Sequence, residues 1–421
     1  FLHGMTMNGG FLIGCVILQR IFKKIFHKIL KMKKIEDEKN LNKKKILLRL
    51  DLNIPIQNGI ITDSTRIDKI LPTLKYLLKY DCKIIIISHI GRPKGKVDLK
   101  LSMKPVCDYM TNKLNEKIKF NSEKIFEINL NSLFSDLNEK ILFLENIRFY
   151  KEEEKNDKDF AKILSKFGDI YVNDAFSCSH RAHASITKIT DYLPSFCGLQ
   201  MDQEIKALKK ITTEIKQPMT CIIGGSKIST KISIIKNLIP KFKNIIFVGG
   251  MANNILEYKG FGIGKSVKEK NCESIIESIF ALAKKNHCNI IFPIDVSVGK
   301  NIHDQAEYKE LKEINEDDLI LDIGKKSIRN IKSIIDNSKT IFWNGPAGYF
   351  ENQNFAEGSL AIAKKIASQR KNLFSVAGGG DTIALLNRAK VFDQLNFVST
   401  AGGAFLEYLE GKEIPGIKSL N

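Results

Sequence analysis

Short runs of Ile, Val and Leu recur along the chain, each closed by a turn and followed by apolar residues at helical spacing. KKILLRLDL, KIIIISHIG, ILFLENIRF and GDIYVNDAF carry the pattern through the first half. MTCIIGGSK, KNIIFVGGM, CNIIFPIDV, KTIFWNGPA, NLFSVAGGG and QLNFVSTAGG carry it through the second. Runs this continuous suit strands buried on both faces, and their alternation with helical stretches predicts βαβ units in parallel sheets. The expected class is α/β, with two Rossmann-like doubly wound parallel-sheet domains. Glycines and charged residues gather just after the runs, at the strand carboxyl ends where open α/β sheets bind ligands.

The two sets of strands are separated by FCGLQMDQEIKALKKITTEIKQP, in which Leu199, Ile205, Leu208 and Ile211 recur at helical spacing before Pro218 opens the next strand. We read 199–217 as an interdomain helix between an N-terminal domain, 32–198, and a C-terminal domain, 218–400. Residues 401–421 are too few for another element pair and are expected to fold back as a closing segment. Residues 1–31 have a different pattern. The apolar run 11–18 is shorter than the ~20 residues needed to span a bilayer, and the following QRIFKKIFHKILKMKK is basic and amphipathic. Targeting peptide, surface anchor and artefact all fit such a segment. With Met32 as an internal start, we treat 1–31 as a non-native or targeting leader and set it apart from the fold.

A net charge of +19 over 421 residues raises a nucleic-acid partner as a question. The lysines are scattered beside Ile and Asn instead of forming a stripe interleaved with aromatics, so no nucleic-acid partner is expected. Eight cysteines include no CxxC pair and no metal-ligand spacing with histidine, which fits a reducing compartment. Cys178 lies beside His180 and is read as a packed small residue in preference to a nucleophile.

Arginine is rationed. Of nine arginines, five sit in separate first-half motifs: Arg49 in LLRLDLNIP, Arg66 in ITDSTRID, Arg92 in SHIGRPKG, Arg148 in LENIRFYKEEE and Arg181 in AFSCSHRAHAS. The guanidinium is a planar fork matched to carboxylate and phosphate, so this grouping points to a small polyanionic ligand. Asp51 and Asn53 alternate after the first strand and are expected to face one way, although Asp-x-Asn is also a turn-forming pair. Arg66, His89, Arg92, Arg148, His180 and Arg181 are expected at neighbouring strand ends, where they would repel one another unless an anion completed the group.

The second half carries the signature of a nucleotide site. In GGSKISTK, Lys227 and Lys231 are four apart and share a helical face if the helix has begun. AGGGDT offers Gly378, Gly379 and Gly380 at a helix start suited to phosphate, with Asp381 as a hard oxygen donor for Mg²⁺ or, equally, as an N-cap. Neither GGSKISTK nor KGFGIGKS satisfies GxxxxGK[ST], so neither is a P-loop. Asn344 and Glu351, in and after WNGP, are read as adenosine and ribose contacts.

From Met32 onward the chain resembles the phosphoglycerate kinases. Ten ordered stretches carry the resemblance: RLDLNIP, ITDSTRI, SHIGRPKG, LENIRFYKEEE, YVNDAF with HRAHAS, GGSKISTK, GGMANN, FWNGPAGYFE, AGGGDT and STAGGA. The resemblance implies a bilobal, monomeric, cytoplasmic kinase that moves a phosphoryl group between 1,3-bisphosphoglycerate and Mg-ADP. It implies small-molecule partners only, with no membrane and no nucleic acid. It would place Asp51, Leu52, Asn53, His89, Ile90, Gly91, Arg92, Arg148, His180 and Arg181 at the phosphoglycerate, with Arg66 beside the acyl phosphate. Lys227, Lys231, Gly249, Gly250, Asn344, Glu351, Gly379, Gly380, Asp381 and Thr382 would meet the nucleotide. Arg66, Lys231, Gly378 and Gly380 would be catalytic, and Asp381 would hold Mg²⁺.

The chain departs from common family wording at Ser177-Cys178-Ser179, Thr230, Lys325, Ala347 and Ala401, and none of these removes a charged group from the expected site. The acceptor oxygen belongs to a carboxylate ionised near pH 7, so no general base is needed. Alignment and charge stabilisation would carry the chemistry, and a hinge at about 201–215 and 399–404 would close the domains and exclude water.

Overall fold

The computed structural model describes residues 32–57, 59–134 and 139–421. The expectation for the leader therefore lies outside the described residues. Two compact units emerge. The first comprises the described residues up to Asp202 together with Glu413–Asn421, and the second is Gln203–Lys412. The chain passes from one to the other inside the helix Leu199–Thr212, which stops five residues short of the expected end.

In the first unit six strands form a parallel sheet: β1 (Lys45–Leu50), β2 (Lys83–Ile87), β3 (Ile118–Asn121), β4 (Ile141–Leu144), β5 (Ile170–Asp174) and β6 (Ser195–Cys197), in the order β3-β4-β2-β1-β5-β6. At the centre Leu48 lies in register with Ile86 on one side and Val172 on the other. All three are fully buried, as a sheet with both faces covered requires of branched side chains. The helix Thr65–Leu77 turns Ile67, Ile70, Leu74 and Leu77 onto that core beside Ile84 and Ile86. This 3.6-residue spacing gives the helix one apolar stripe to bury and leaves its other side polar.

The second unit repeats the plan with β7 (Met219–Ile223), β8 (Asn244–Phe247), β9 (Asn289–Ile291), β10 (Thr340–Asn344), β11 (Phe374–Gly378) and β12 (Phe397–Ser399), ordered β9-β8-β7-β10-β11-β12 and all parallel. Its core gathers Ile222, Ile246, Ile341 and the fully buried Trp343, whose Nε1 donates to the Gly345 carbonyl at 2.8 Å. The strand order turns from falling to rising between β1 and β5 in the first unit and between β7 and β10 in the second. Open α/β sheets leave a ligand crevice at such a switch point.

One part of the second unit does not follow the expected pattern. CNIIFPIDV splits at Pro293 into the parallel β9 and a separate strand, Asp295–Gly299, which pairs antiparallel with Glu307–Glu310 and Leu319–Ile323. Proline has no N–H to give a ladder, and this breaks the run. The three-stranded sheet has its own small core of Leu256, Ile263, Val296, Val298 and Leu311.

The final residues return to the first unit. Gly416 N–H donates to the Ser179 carbonyl at 2.8 Å, and a Cβ on Gly416 would lie 2.7 Å from the Ser179 side chain, so the approach depends on glycine. Residues 401–412, in contrast, belong to the second unit and include the helix Gly403–Leu409.

Candidate active site

At the first switch point, β1 ends at Leu50, one residue before Asp51, so the expected strand alternation does not extend to Asp51 and Asn53. Asp51 is buried and Asn53 exposed. Asp51 Oδ1 accepts from the Asn53 N–H at 3.2 Å, the turn-forming alternative, while its Oδ2 pairs with Arg66 Nη1 at 3.1 Å. Ser177, which follows β5, donates to the same carboxylate and so ties the two sides of the crevice together. Arg66 occupies the first turn of the helix Thr65–Leu77. It is anchored a second time through Nη1 to the Asn53 carbonyl at 2.7 Å, and its side chain remains 30% exposed. Asn53 Oδ1 in turn accepts from the Gly91 N–H at 2.9 Å.

The loop after β2 places His89, Ile90 and Gly91. Gly91 has φ of +64°, and its carbonyl accepts from Arg148 Nη1 at 3.0 Å. Leu52 and Ile90 are buried apolar residues, Leu52 held through its N–H to Ser88 Oγ at 3.1 Å. His89 is 2% exposed, and burial together with Arg49, Arg148 and Arg66 holds its pKa well below the usual histidine range. Arg148 is buried, with its Nε 3.6 Å from Glu154. Arg181 Nε donates to His180 Nε2 at 3.2 Å. Charge effects of Arg181 on both Arg148 and His183 place it in the same cluster. Arg92 adjoins Gly91 but is exposed, and no hydrogen bond or ion pair among the described residues ties its side chain to the rest.

Arg49, grouped from sequence with the arginines pointing to a polyanionic ligand, lies instead in buried support behind the site, together with Glu153, Ser185 and His183, which were not expected from sequence. Arg49, Glu153 and Ser185 are fully buried and hydrogen-bonded to one another through Ser185. His183 is buried too, its pKa pushed down to about 3 by burial and then by Arg148, Arg49 and Arg181. Its Nδ1 lies 3.7 Å from Glu153, and a neutral ring at that distance forms no salt bridge. Asp51, His89 and Cys178 bring ligand-type atoms within 4.8 Å of one another. The guanidiniums bordering them repel a cation, and burial pushes the Cys178 thiol up, so the thiol is also unactivated as a nucleophile.

In the second unit the switch point is framed by the glycine turns after β7, β8, β10 and β11. The helix following β7 starts at Ile232, after a 3-10 turn Ser229–Lys231, so the helical-face argument for Lys227 and Lys231 does not apply. Lys227 is exposed. Lys231 folds inward, and its Nζ donates at 2.5 Å to both the Gly224 carbonyl and Asn344 Oδ1. Burial pulls its pKa down to about 8. Asn344 is itself buried, and its Nδ2 donates to the Gly378 carbonyl at 2.6 Å. Its side chain thus joins Lys231 to the AGGGDT loop, a role that its motif did not reveal.

Gly379, with φ of +101°, opens the helix Gly380–Arg388, and no side chain caps that end. Uncapped N–H groups and the helix dipole together favour a phosphate there. Thr382 Oγ1 is turned back to accept from the Gly345 N–H at 2.8 Å. Asp381 is exposed, and its carboxylate has no hydrogen bond or ion pair among the described residues. A hard oxygen donor left open beside a phosphate cradle fits Mg²⁺, which binds through one or two carboxylates plus nucleotide phosphates. Gly249, with φ of +62°, precedes the helix Gly250–Tyr258, which is tied to the first loop by Met251 N–H to the Gly225 carbonyl at 2.8 Å. Glu351 is exposed, in a loop held by Arg388 through the Glu351 carbonyl at 3.1 Å and Gln353 Oε1 at 2.6 Å.

A sequence model of phosphoglycerate kinase matches residues 35–412. The chain belongs to the phosphoglycerate kinase family. Among curated relatives it is 42% identical over 390 residues to the phosphoglycerate kinase of Methylorubrum extorquens, covering 92% of this chain and 98% of that protein. It is 44% identical over 386 residues to that of Wolbachia pipientis wMel, covering 90% and 96%. The solved structure of phosphoglycerate kinase from Coxiella burnetii superposes with a TM-score of 0.84 at 34% identity, covering 92% of this chain and 98% of the other. Phosphoglycerate kinases transfer phosphate between 1,3-bisphosphoglycerate and ADP, using the nucleotide with Mg²⁺. Among the described residues no helix is long and apolar enough to cross a membrane.

Proposed function

We propose that the chain catalyses the family's reaction, 1,3-bisphosphoglycerate and Mg-ADP to 3-phosphoglycerate and ATP, with the phosphoglycerate held by the first unit and the nucleotide by the second. The observation that carries this reading is Arg66. Its guanidinium is anchored to Asp51 and the Asn53 carbonyl yet stays partly open, as a group meeting a transferring phosphoryl must be. His89, Arg148, His180 and Arg181 hold the phosphoglycerate, with Arg92 joining from the loop edge, and Asn53 and the Gly91 backbone shape the turn.

On the nucleotide side, Lys231 and the uncapped amides at Gly380 meet phosphate charge, with Lys227 added from the exposed loop. Asn344, Gly378 and Gly379 set the positions of these groups. Gly249, Gly250, Glu351 and Thr382 complete the nucleotide site. Asp381 would hold Mg²⁺, which neutralises phosphate charge as the phosphoryl group moves. The acceptor is a carboxylate already ionised at neutral pH, so the residues align and neutralise and no base is required. Closure of the units over both ligands belongs to the proposal, as do a monomeric state and a cytoplasmic location.

Phosphorus NMR of the protein with ATP, Mg²⁺ and 3-phosphoglycerate tests the reading. An acyl-phosphate resonance appearing with ADP supports it, whereas release of inorganic phosphate alone refutes it.

A further inference from the structure

Four buried side chains form a one-way chain of hydrogen bonds behind the anion site. Glu153 accepts twice from Ser185, through Oε2 from the backbone N–H at 2.9 Å and through Oε1 from the hydroxyl at 2.6 Å. The hydroxyl proton is thereby committed, so Ser185 Oγ accepts from Arg49 Nε at 3.0 Å. Arg49 then reaches His89 Nδ1 through Nη2 at 3.1 Å. A guanidinium only donates, so Nδ1 must accept and the ring proton must sit on Nε2. The Cys178 thiol lies 4.0 Å from the same Nδ1 and 3.6 Å from Ser177 Oγ. Nε2 has no hydrogen-bond partner among the described residues, and it is not among the buried polar atoms that lack one. It is the polar edge of the ring left for a ligand.

We propose that Glu153, Ser185 and Arg49 are positioning residues that fix His89 as a neutral Nε2–H donor to the phosphoglycerate. The inference rests on the reading of His89 as a substrate contact. With the proton on Nδ1 instead, Nε2 would turn a lone pair toward an anionic oxygen, and the site would lose a donor and gain a repulsion. None of the three positioning residues needs to touch substrate. Glu153 supplies the buried negative end that orients the chain, and burial raises its pKa while Arg49 and Ser185 oppose the rise.

The test uses nitrogen-15 histidine side-chain spectra of the full-length protein at neutral pH, with His89 assigned by comparison with His89→Gln. The expected free protein shows His89 as the Nε2–H tautomer, and adding 3-phosphoglycerate shifts that N–H. An Nδ1–H tautomer or an imidazolium would overturn the proposal, whatever the enzyme's activity. A correct tautomer that 3-phosphoglycerate leaves unmoved would instead overturn the contact on which the inference rests. Ser185→Ala removes the middle link. It is expected to mix the two tautomers and raise KM for 3-phosphoglycerate about tenfold or more, with KM for ATP unchanged. A packing defect alone would not move the tautomer, and an unchanged tautomer with unchanged KM refutes the chain of positioning. Should Ser185→Ala fail to fold, the wild-type spectra decide by themselves.

Discussion

Lys231→Met separates the work of an active-site cation from its cost to the fold. Methionine matches the length of the lysine stem and removes the ammonium, which in the wild type donates to the Gly224 carbonyl and Asn344 Oδ1. Loss of one charge-stabilising donor costs about 2.7 to 4 kcal/mol of barrier, so kcat should fall about 10²- to 10³-fold. Stability should change far less. The pKa of Lys231 drops from 10.5 to about 8 because burial disfavours the charged form. Holding that charge thus costs the folded state about 3 kcal/mol below pH 8. Methionine relieves this cost but leaves two acceptors without their donor, about 1 kcal/mol or more each, so the terms nearly cancel.

The pH dependence has a defined sign. Between pH 8 and 10.5 the folded lysine has lost its proton while the unfolded one keeps it, so the wild type gains stability with rising pH relative to the variant. Urea unfolding of both proteins at pH 7, 9 and 10.5, with a coupled turnover assay at pH 7, measures all of this. Turnover within tenfold of wild type, or a wild type that loses stability relative to Lys231→Met above pH 8, would refute the reasoning.

Other outcomes follow from the geometry of the two sites. Arg66→Ala should lower kcat by two to three orders of magnitude with nucleotide affinity intact by calorimetry, and Arg66→Lys should not restore it, because a point charge cannot replace the fork. Asp381→Asn should shift the Mg²⁺ dependence of turnover to higher concentration with little change in melting temperature, since that carboxylate makes no hydrogen bond or ion pair among the described residues. Gly379→Ala forces a side chain into φ of +101° and puts its Cβ 2.7 Å from Asn344 Nδ2. It should cost about 1 to 3 kcal/mol, read as a lower Tm, and should raise KM for the nucleotide.

The parallel sheets could be read from sequence because their central strands bury both faces, which forces near-continuous Ile, Val and Leu. The edge strands Ile118–Asn121 and Ser195–Cys197 escaped because they are short and partly exposed. The antiparallel sheet escaped because Asp295–Gly299 shares an apolar run with β9, and only Pro293 marks the break. Motif arginines were visible because arginine is scarce here, whereas Glu153, in a KEEE run, has the pattern of a solvated helix face. Its burial depends on Ser185, 32 residues away, and no local pattern encodes that pairing. Asn344 is similar: its motif marks a strand-end loop, but only the fold shows the side chain turned inward onto Lys231 and the Gly378 carbonyl.

The most direct test compares turnover with ATP and Mg²⁺ on 3-phosphoglycerate and on glycerate, which keeps the acceptor carboxylate and lacks the 3-phosphate. The arginine and histidine cluster of the first unit should make 3-phosphoglycerate the better substrate by orders of magnitude in kcat/KM, a preference lost in Arg148→Met. Equal turnover on the two acceptors would contradict the assignment of that cluster to the 3-phosphate.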